Sequence, residues 1–199
     1  MEKFDITTTE LEYKYLANSV KMSDFNAFAL SLNPEKRIEV SSWDIYFKSS
    51  NPSLPFEFMR YRQGPRPELT IKIKTNENNN NARTEIDVPL NPNIPEKEVE
   101  HIVASFCQQF GFKEEFRIYK FCSIFYYEKT DMVYYITFNE EMHEQDRFIE
   151  IEARKDRPFE KAEDAWKLVH ELEQKFSIFG ITPQHRMRRS QWEMNKKIK

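Results

Sequence analysis

The stretches ELEYKYL (residues 10–16) and RFIEIEAR (residues 147–154) alternate charged and apolar side chains one by one. Successive side chains of an extended chain point to opposite faces. Glu10, Glu12 and Lys14 therefore share one face, with Leu11, Tyr13 and Tyr15 on the other; Glu150, Glu152 and Arg154 likewise oppose Ile149, Ile151 and Ala153. A helix would scatter both sets around its circumference, so these segments read as strands dividing a charged environment from an apolar one.

Three segments between them repeat the pattern. FMRYRQ (58–63) aligns Arg60 and Arg62; LTIKIKT (69–75) aligns Thr70, Lys72 and Lys74 against Leu69, Ile71 and Ile73; RTEIDV (83–88) aligns Arg83, Glu85 and Asp87. The expected strands are Thr8–Ala17, Ile38–Lys48, Phe56–Gln63, Leu69–Asn76, Arg83–Leu90, Phe116–Tyr127, Met132–Asn139 and Arg147–Lys155. The breakers NPSLP, QGPRP, NENNNN, NPNIP and EEMHEQD separate most of them. Long strands joined by polar loops predict a mainly antiparallel sheet able to close into a barrel.

Three helical patterns interrupt the series. Ser23 is the expected cap of a short helix that turns Phe25, Phe28 and Leu32 one way and stops at Asn33-Pro34. Val99, Ile102, Val103, Phe106 and Phe110 recur at helical spacing before Gly111, and Ala162, Ala165, Trp166, Val169, Leu172 and Phe176 do so before Gly180. These stripes read as scaffold packing.

The chain of 199 residues suits one core, hence a single domain over 1–199 with a basic tail at about 183–199. That tail reads as a solvated helix or, functionally, as a lid or RNA contact. The net charge of -3 supplies no global attraction to nucleic acid or anionic lipid. With no apolar leader and no run long enough for a membrane helix, the expectation is a cytoplasmic protein with no membrane partner. Cys107 and Cys122 read as buried free thiols. Three glycines leave no glycine cradle for phosphate, so side chains must supply the donors. His101, His143, His170 and His185 are scattered and give no shared metal site or triad. Tyr126, Tyr127, Tyr134 and Tyr135 read as wall residues; Asp44 and Tyr46 would face a lumen, although packing of Trp43, Ile45 and Phe47 already explains their strand.

An ordinary sheet with one wet face would mix its signs, whereas here the first and last strands pair carboxylates and two middle strands pair cations. That segregation fits a polyphosphate chelated by Mg²⁺ or Mn²⁺. Hard divalent cations take oxygen ligands, available from Glu10, Glu12, Glu150 and Glu152, and phosphate oxygens require several Arg and Lys donors.

The ordered set of motifs resembles the CYTH domains, or triphosphate tunnel metalloenzymes. Glu10-Leu11-Glu12-Tyr13-Lys14 is similar to the family's ExExK; WDIYF (43–47), the paired arginines, the segment ending at Lys72, RTE (83–85), Lys120 and Glu150–Glu152 follow in family order. The resemblance runs from about Thr8 to Lys155. It implies an α+β fold, a closed antiparallel eight-stranded barrel with helices packed outside. It further implies metal at Glu10, Glu12 and at least one of Glu150 and Glu152, phosphate at Lys14, Arg60, Arg62, Lys72, Lys74, Arg83 and Lys120, and Glu85 orienting these cations or a second metal. Cys122 stands where the family has an arginine and Asn139 where it often has an acid; Lys74 and Arg117 are candidates to compensate.

The expected activity is metal-dependent hydrolysis of a triphosphate, with Glu12 essential and Glu85 or Glu152 taking the proton of water. Candidate substrates are inorganic tripolyphosphate, nucleoside or thiamine triphosphate, and an RNA 5′ end. The alternatives are an adenylate cyclase making cyclic AMP from ATP, and a binder of phosphorylated nucleotide or RNA end without turnover.

Overall fold

The computed structural model describes residues 7–51, 53–54, 56–73, 82–157 and 159–187. The strands are β1 (Thr7–Leu16), β2 (Lys36–Ser49), β3 (Phe56–Gln63), β4 (Glu68–Ile73), β5 (Ala82–Pro89), β6 (Phe112–Tyr126), β7 (Thr130–Phe138) and β8 (Glu144–Ala153). The helices are α1 (Met22–Ser31), α2 (Glu96–Gln109) and α3 (Ala162–Gln174). Each strand overlaps the segment expected from the period-two pattern. Lys74, the NENNNN tract and the tail from Arg188 onward lie outside the described residues.

The strands form one curled antiparallel sheet in the order β1-β5-β4-β3-β2-β6-β7-β8, and the pairing returns from β8 to β1. The return is staggered. Thr7–Leu11 pairs with β5, and Glu12–Leu16 pairs with β8. The free side of the second half of β1 receives the C-terminal segment: Tyr15 bridges to Arg186, and the Met187 amide donates to the Lys14 carbonyl at 2.7 Å. The Arg186 guanidinium pairs with the buried Glu173 of α3 and lies 3.6 Å from the centre of the Tyr13 ring, while the Tyr15 hydroxyl donates to Glu173 at 2.5 Å.

Apolar side chains on the outer face of the sheet are covered by helices in two clusters. Tyr13, Tyr15, Ile149 and Ile151 pack with Phe25 of α1 and Val169 and Leu172 of α3, joined by Phe176 from the 3-10 turn that follows. Ile45, Phe47, Met59 and Tyr61 pack with Val99, Val103 and Cys107 of α2.

Two helix expectations are corrected. Ser23 is not the cap of α1: Lys21 occupies that position without a side-chain bond, and the Ser23 hydroxyl donates to Asp24 instead. The stripe of α2 is split. Val99 and Val103 are buried, but Ile102, Phe106 and Phe110 are 52%, 44% and 55% exposed. A cylinder lying on a convex wall touches it along one ridge, here the i, i+4, i+8 line through Val99, Val103 and Cys107; the adjacent line has nothing to meet. Gly111 and Gly180 adopt positive φ, 74° and 70°, at the turns where stops were expected.

Candidate functional site

The register decides which side chains share the lumen. One cross-strand row runs Ile38–Ile124–Val133–Glu150–Lys14, and the next reaches Tyr126–Asp131–Glu152–Glu12. These residues, with Arg60, Arg62, Lys72, Glu85 and Lys120, line a cavity of about 560 Å³. Nine expected site residues thus converge on one space: Glu12, Lys14, Arg60, Arg62, Lys72, Glu85, Lys120, Glu150 and Glu152. Glu10 and Arg83 are cross-strand partners in the β1–β5 register, which is as far as the described structure extends for them.

The basic part centres on Asp44, which is fully buried. Arg62 grips it with two bonds, Nε to Oδ1 at 2.8 Å and a terminal nitrogen to Oδ2 at 3.1 Å, and Lys120 Nζ lies 2.8 Å from Oδ2. Burial opposes ionisation of Asp44, but the charges of Arg62, Lys120 and Arg60 outweigh it and hold the carboxyl well below its ordinary range. Arg60 donates to Thr70 at 2.9 Å and lies 3.6 Å from Glu68. Beyond this cluster Tyr46, Phe58, Phe116 and Ile118 pack together inside the barrel, with Tyr46 stacked on Phe116 at 4.6 Å.

On the opposite wall the signs interleave instead of segregating. Lys14 lies 2.6 Å from Glu150, which also accepts a bond from the Tyr135 hydroxyl at 2.9 Å. Burial raises the Glu150 pKa, but Lys14, Lys120 and the Tyr135 bond overcome it and lower the carboxyl to about 2. Lys72 pairs with Glu85, and Lys155 bridges Glu85 at 3.1 Å and Asp87 at 2.7 Å. Antiparallel pairing places the ends of one strand beside the start of the next, so acids and bases separated in sequence become neighbours.

The row Glu12–Glu152–Asp131 carries carboxylates on three adjacent strands. Like charges directly opposite one another are unfavourable unless positive charge intervenes. Asp131 Oδ1 is buried without a hydrogen bond, with Arg154 Nε 3.8 Å away. This donor set suits a hard divalent cation. Among the described residues no three acidic, histidine or cysteine side chains enclose a metal by themselves, which agrees with an ion that takes one or two carboxylates and completes its shell with phosphate and water.

Burial pushes the Asp131 carboxyl up to about 7, only partly offset by Arg154. A folded pKa above the unfolded value of about 3.9 means that the stability Asp131 contributes is fully present below about pH 4 and is lost as pH rises through about 7. Asp131→Asn does not titrate. In chelator-containing buffer it is expected to be more stable than the parent at pH 8 by on the order of 3 kcal/mol, the difference shrinking at pH 5. Urea unfolding at the two pH values measures this, and an equal difference at both would refute it.

Four placements depart from expectation. Cys122 is not in an apolar core but faces the lumen, where burial raises its thiol to about 11. Arg117 points outward to Glu100 and Glu114, at 2.8 and 2.6 Å, and cannot stand in for a lumen cation. Asn139 belongs to the β7–β8 turn, its side-chain oxygen accepting the His143 amide at 2.9 Å. Tyr126 and Tyr135 line the cavity, whereas Tyr134 is buried in the outer core. Asp44 and Asp131 were the residues sequence reasoning undervalued. Asp44 alternates correctly in WDIYF, but β7 is apolar on both faces, so no alternation singles out Asp131.

No protein-family model matches the sequence, and no curated protein matches it. Solved structures do share the fold. A conserved hypothetical protein from Pyrococcus furiosus superposes with a TM-score of 0.64 at 21% identity, covering 92% of this chain and 98% of its own. A candidate adenylate cyclase from Vibrio parahaemolyticus gives 0.60 at 15% identity, covering 95% and 98%. The fold is CYTH-like. The Mediator head module of Schizosaccharomyces pombe also contains a match, at 0.58 and 10% identity over 86% of this chain and 96% of that one. A CYTH-like architecture therefore does not dictate one chemistry, and the site must carry the functional argument.

Proposed function

We propose that the chain binds a triphosphate inside the lumen and hydrolyses it with Mg²⁺ or Mn²⁺. The observation that supports this reading is the facing of two unlike clusters across one cavity: Arg60, Arg62 and Lys120 around Asp44, and the carboxylate row Glu12–Glu152–Asp131. Forked arginines and compact lysines suit phosphate oxygens. A triphosphate entering the basic cluster would share cations that Asp44 now neutralises. Glu12 and Glu152, with Asp131 beside them, would hold the metal, which when bound would screen phosphate charge and acidify water.

Glu85 is held by two lysines, which disfavours proton uptake. Its role in this scheme is to position Lys72 and Lys155. Glu152 is the better placed acceptor for the proton of water.

Incubation of the protein with tripolyphosphate, ATP, thiamine triphosphate and a 5′-triphosphorylated RNA, with Mg²⁺ or Mn²⁺ and with chelator, tests the proposal. Phosphate release that disappears with chelator is the expected result. Cyclic AMP and pyrophosphate from ATP would instead support the cyclase. Cys122 at the position of a family arginine favours a second reading, binding without turnover, which tight metal-dependent association with no phosphate release would establish.

A further inference from the structure

The cavity has two chemically different walls. β1, β3, β4, β5 and β8 face it with charged side chains, whereas β2, β6 and β7 present two successive rows without a charge: Val40–Cys122, then Ile38–Ile124–Val133. Cys122, Ile124 and Val133 pack as one cluster with Tyr135 and Phe148, and the Tyr126 ring extends the surface by one row. Neither valine nor isoleucine can hydrogen-bond a phosphate oxygen, and a thiol is a weak donor. An anionic chain laid on this wall would lose water without gaining a partner.

A cavity of about 560 Å³ is of the size that holds organic ligands rather than a bare anion. Inorganic tripolyphosphate would fill the charged part and leave the Ile38–Ile124–Val133 row wet. A planar aromatic group would cover it, gaining from apolar burial and from contact with Tyr126. We infer that the ligand is a triphosphate ester of an aromatic-bearing alcohol, a nucleoside triphosphate or a close chemical relative, with its phosphates among Arg60, Arg62 and Lys120 and its ring against Ile38, Ile124 and Val133. This inference rests on the triphosphate reading above and narrows it.

Calorimetric titration in Mg²⁺ buffer with β,γ-methylene ATP, β,γ-methylene UTP and a methylene-bridged inorganic triphosphate tests it without turnover. At least one nucleotide analogue is expected to bind about tenfold or more tightly than the inorganic one. Ile124→Asn and Ile38→Asn should each weaken the nucleotide by about five- to tenfold while leaving the inorganic analogue within about twofold. Two half-buried positions are used so that a folding defect in one, seen in its thermal melt, does not remove the test. Equal affinity for inorganic and nucleotide analogues, or equal weakening of both by the variants, would overturn this inference and leave the triphosphate site standing. Binding of none of the three would remove both.

Discussion

Asp44→Ala is expected to destabilise the fold by about 3–5 kcal/mol, a large share of the ~5–15 kcal/mol that holds a typical domain together. The carboxylate is fully buried and neutralises Arg62 through two bonds and Lys120 through a third contact. Its removal leaves two cations in the lumen with their main counter-charge gone, and the loss exceeds that of any surface pair because water reaches the site poorly. Urea unfolding should show a lower midpoint at an unchanged slope. Because the folded pKa of Asp44 is depressed, the stability it supplies is present above about pH 4 and fades as pH falls below that. A midpoint within experimental scatter of the parent at pH 7 would mean that Asp44 is not the counter-ion of the basic cluster.

The second large effect is expected on activity. Glu12→Ala should lower metal-dependent phosphate release by about 10³-fold or more, because it removes a carboxylate from the pair that would hold the cation. The fold should not suffer. Glu12 stands opposite Glu152, and losing one of two facing like charges is neutral or mildly stabilising. The thermal midpoint of the variant should therefore equal or exceed that of the parent while turnover collapses. Turnover equal to the parent would contradict the assignment of Glu12, and a parallel loss of stability would show that its part is architectural.

Much of the site is visible in residue order because a strand has the simplest periodicity available to a chain. Arg60 and Arg62, Lys72, Glu12 and Lys14, and Glu150 and Glu152 all point the same way from their strands, and all reach the cavity. Pairings are not visible in this manner. That Lys14 meets Glu150, that Lys72 meets Glu85, and that Arg62 and Lys120 share Asp44 depends on which strands adjoin and in what register. The expected separation of acidic and basic poles therefore gave way to interleaved pairs on one wall. Lys155 escaped notice for a related reason: it lies beyond the end of β8, where alternation no longer assigns a face, yet it reaches Glu85 and Asp87.

The same division explains the helices. Spacing shows that α2 is amphipathic, but a stripe of Val99, Ile102, Val103, Phe106 and Phe110 is wider than the line of contact a curved wall offers, and only the three-dimensional surface selects which ridge is buried.

For this chain, residue order alone determined that the strands exist, which face of each is charged, and that cations and carboxylates suited to a chelated polyphosphate lie on those faces; these follow from local alternation, a property of neighbouring residues. Tertiary structure decided the staggered closure through β1, the counter-ion of each buried charge, the placing of Asp131 beside Glu152, and the apolar second wall at Cys122. Those depend on register between segments far apart in the chain, which is set by the summed packing of the whole sheet and its helices and is not encoded in any one segment.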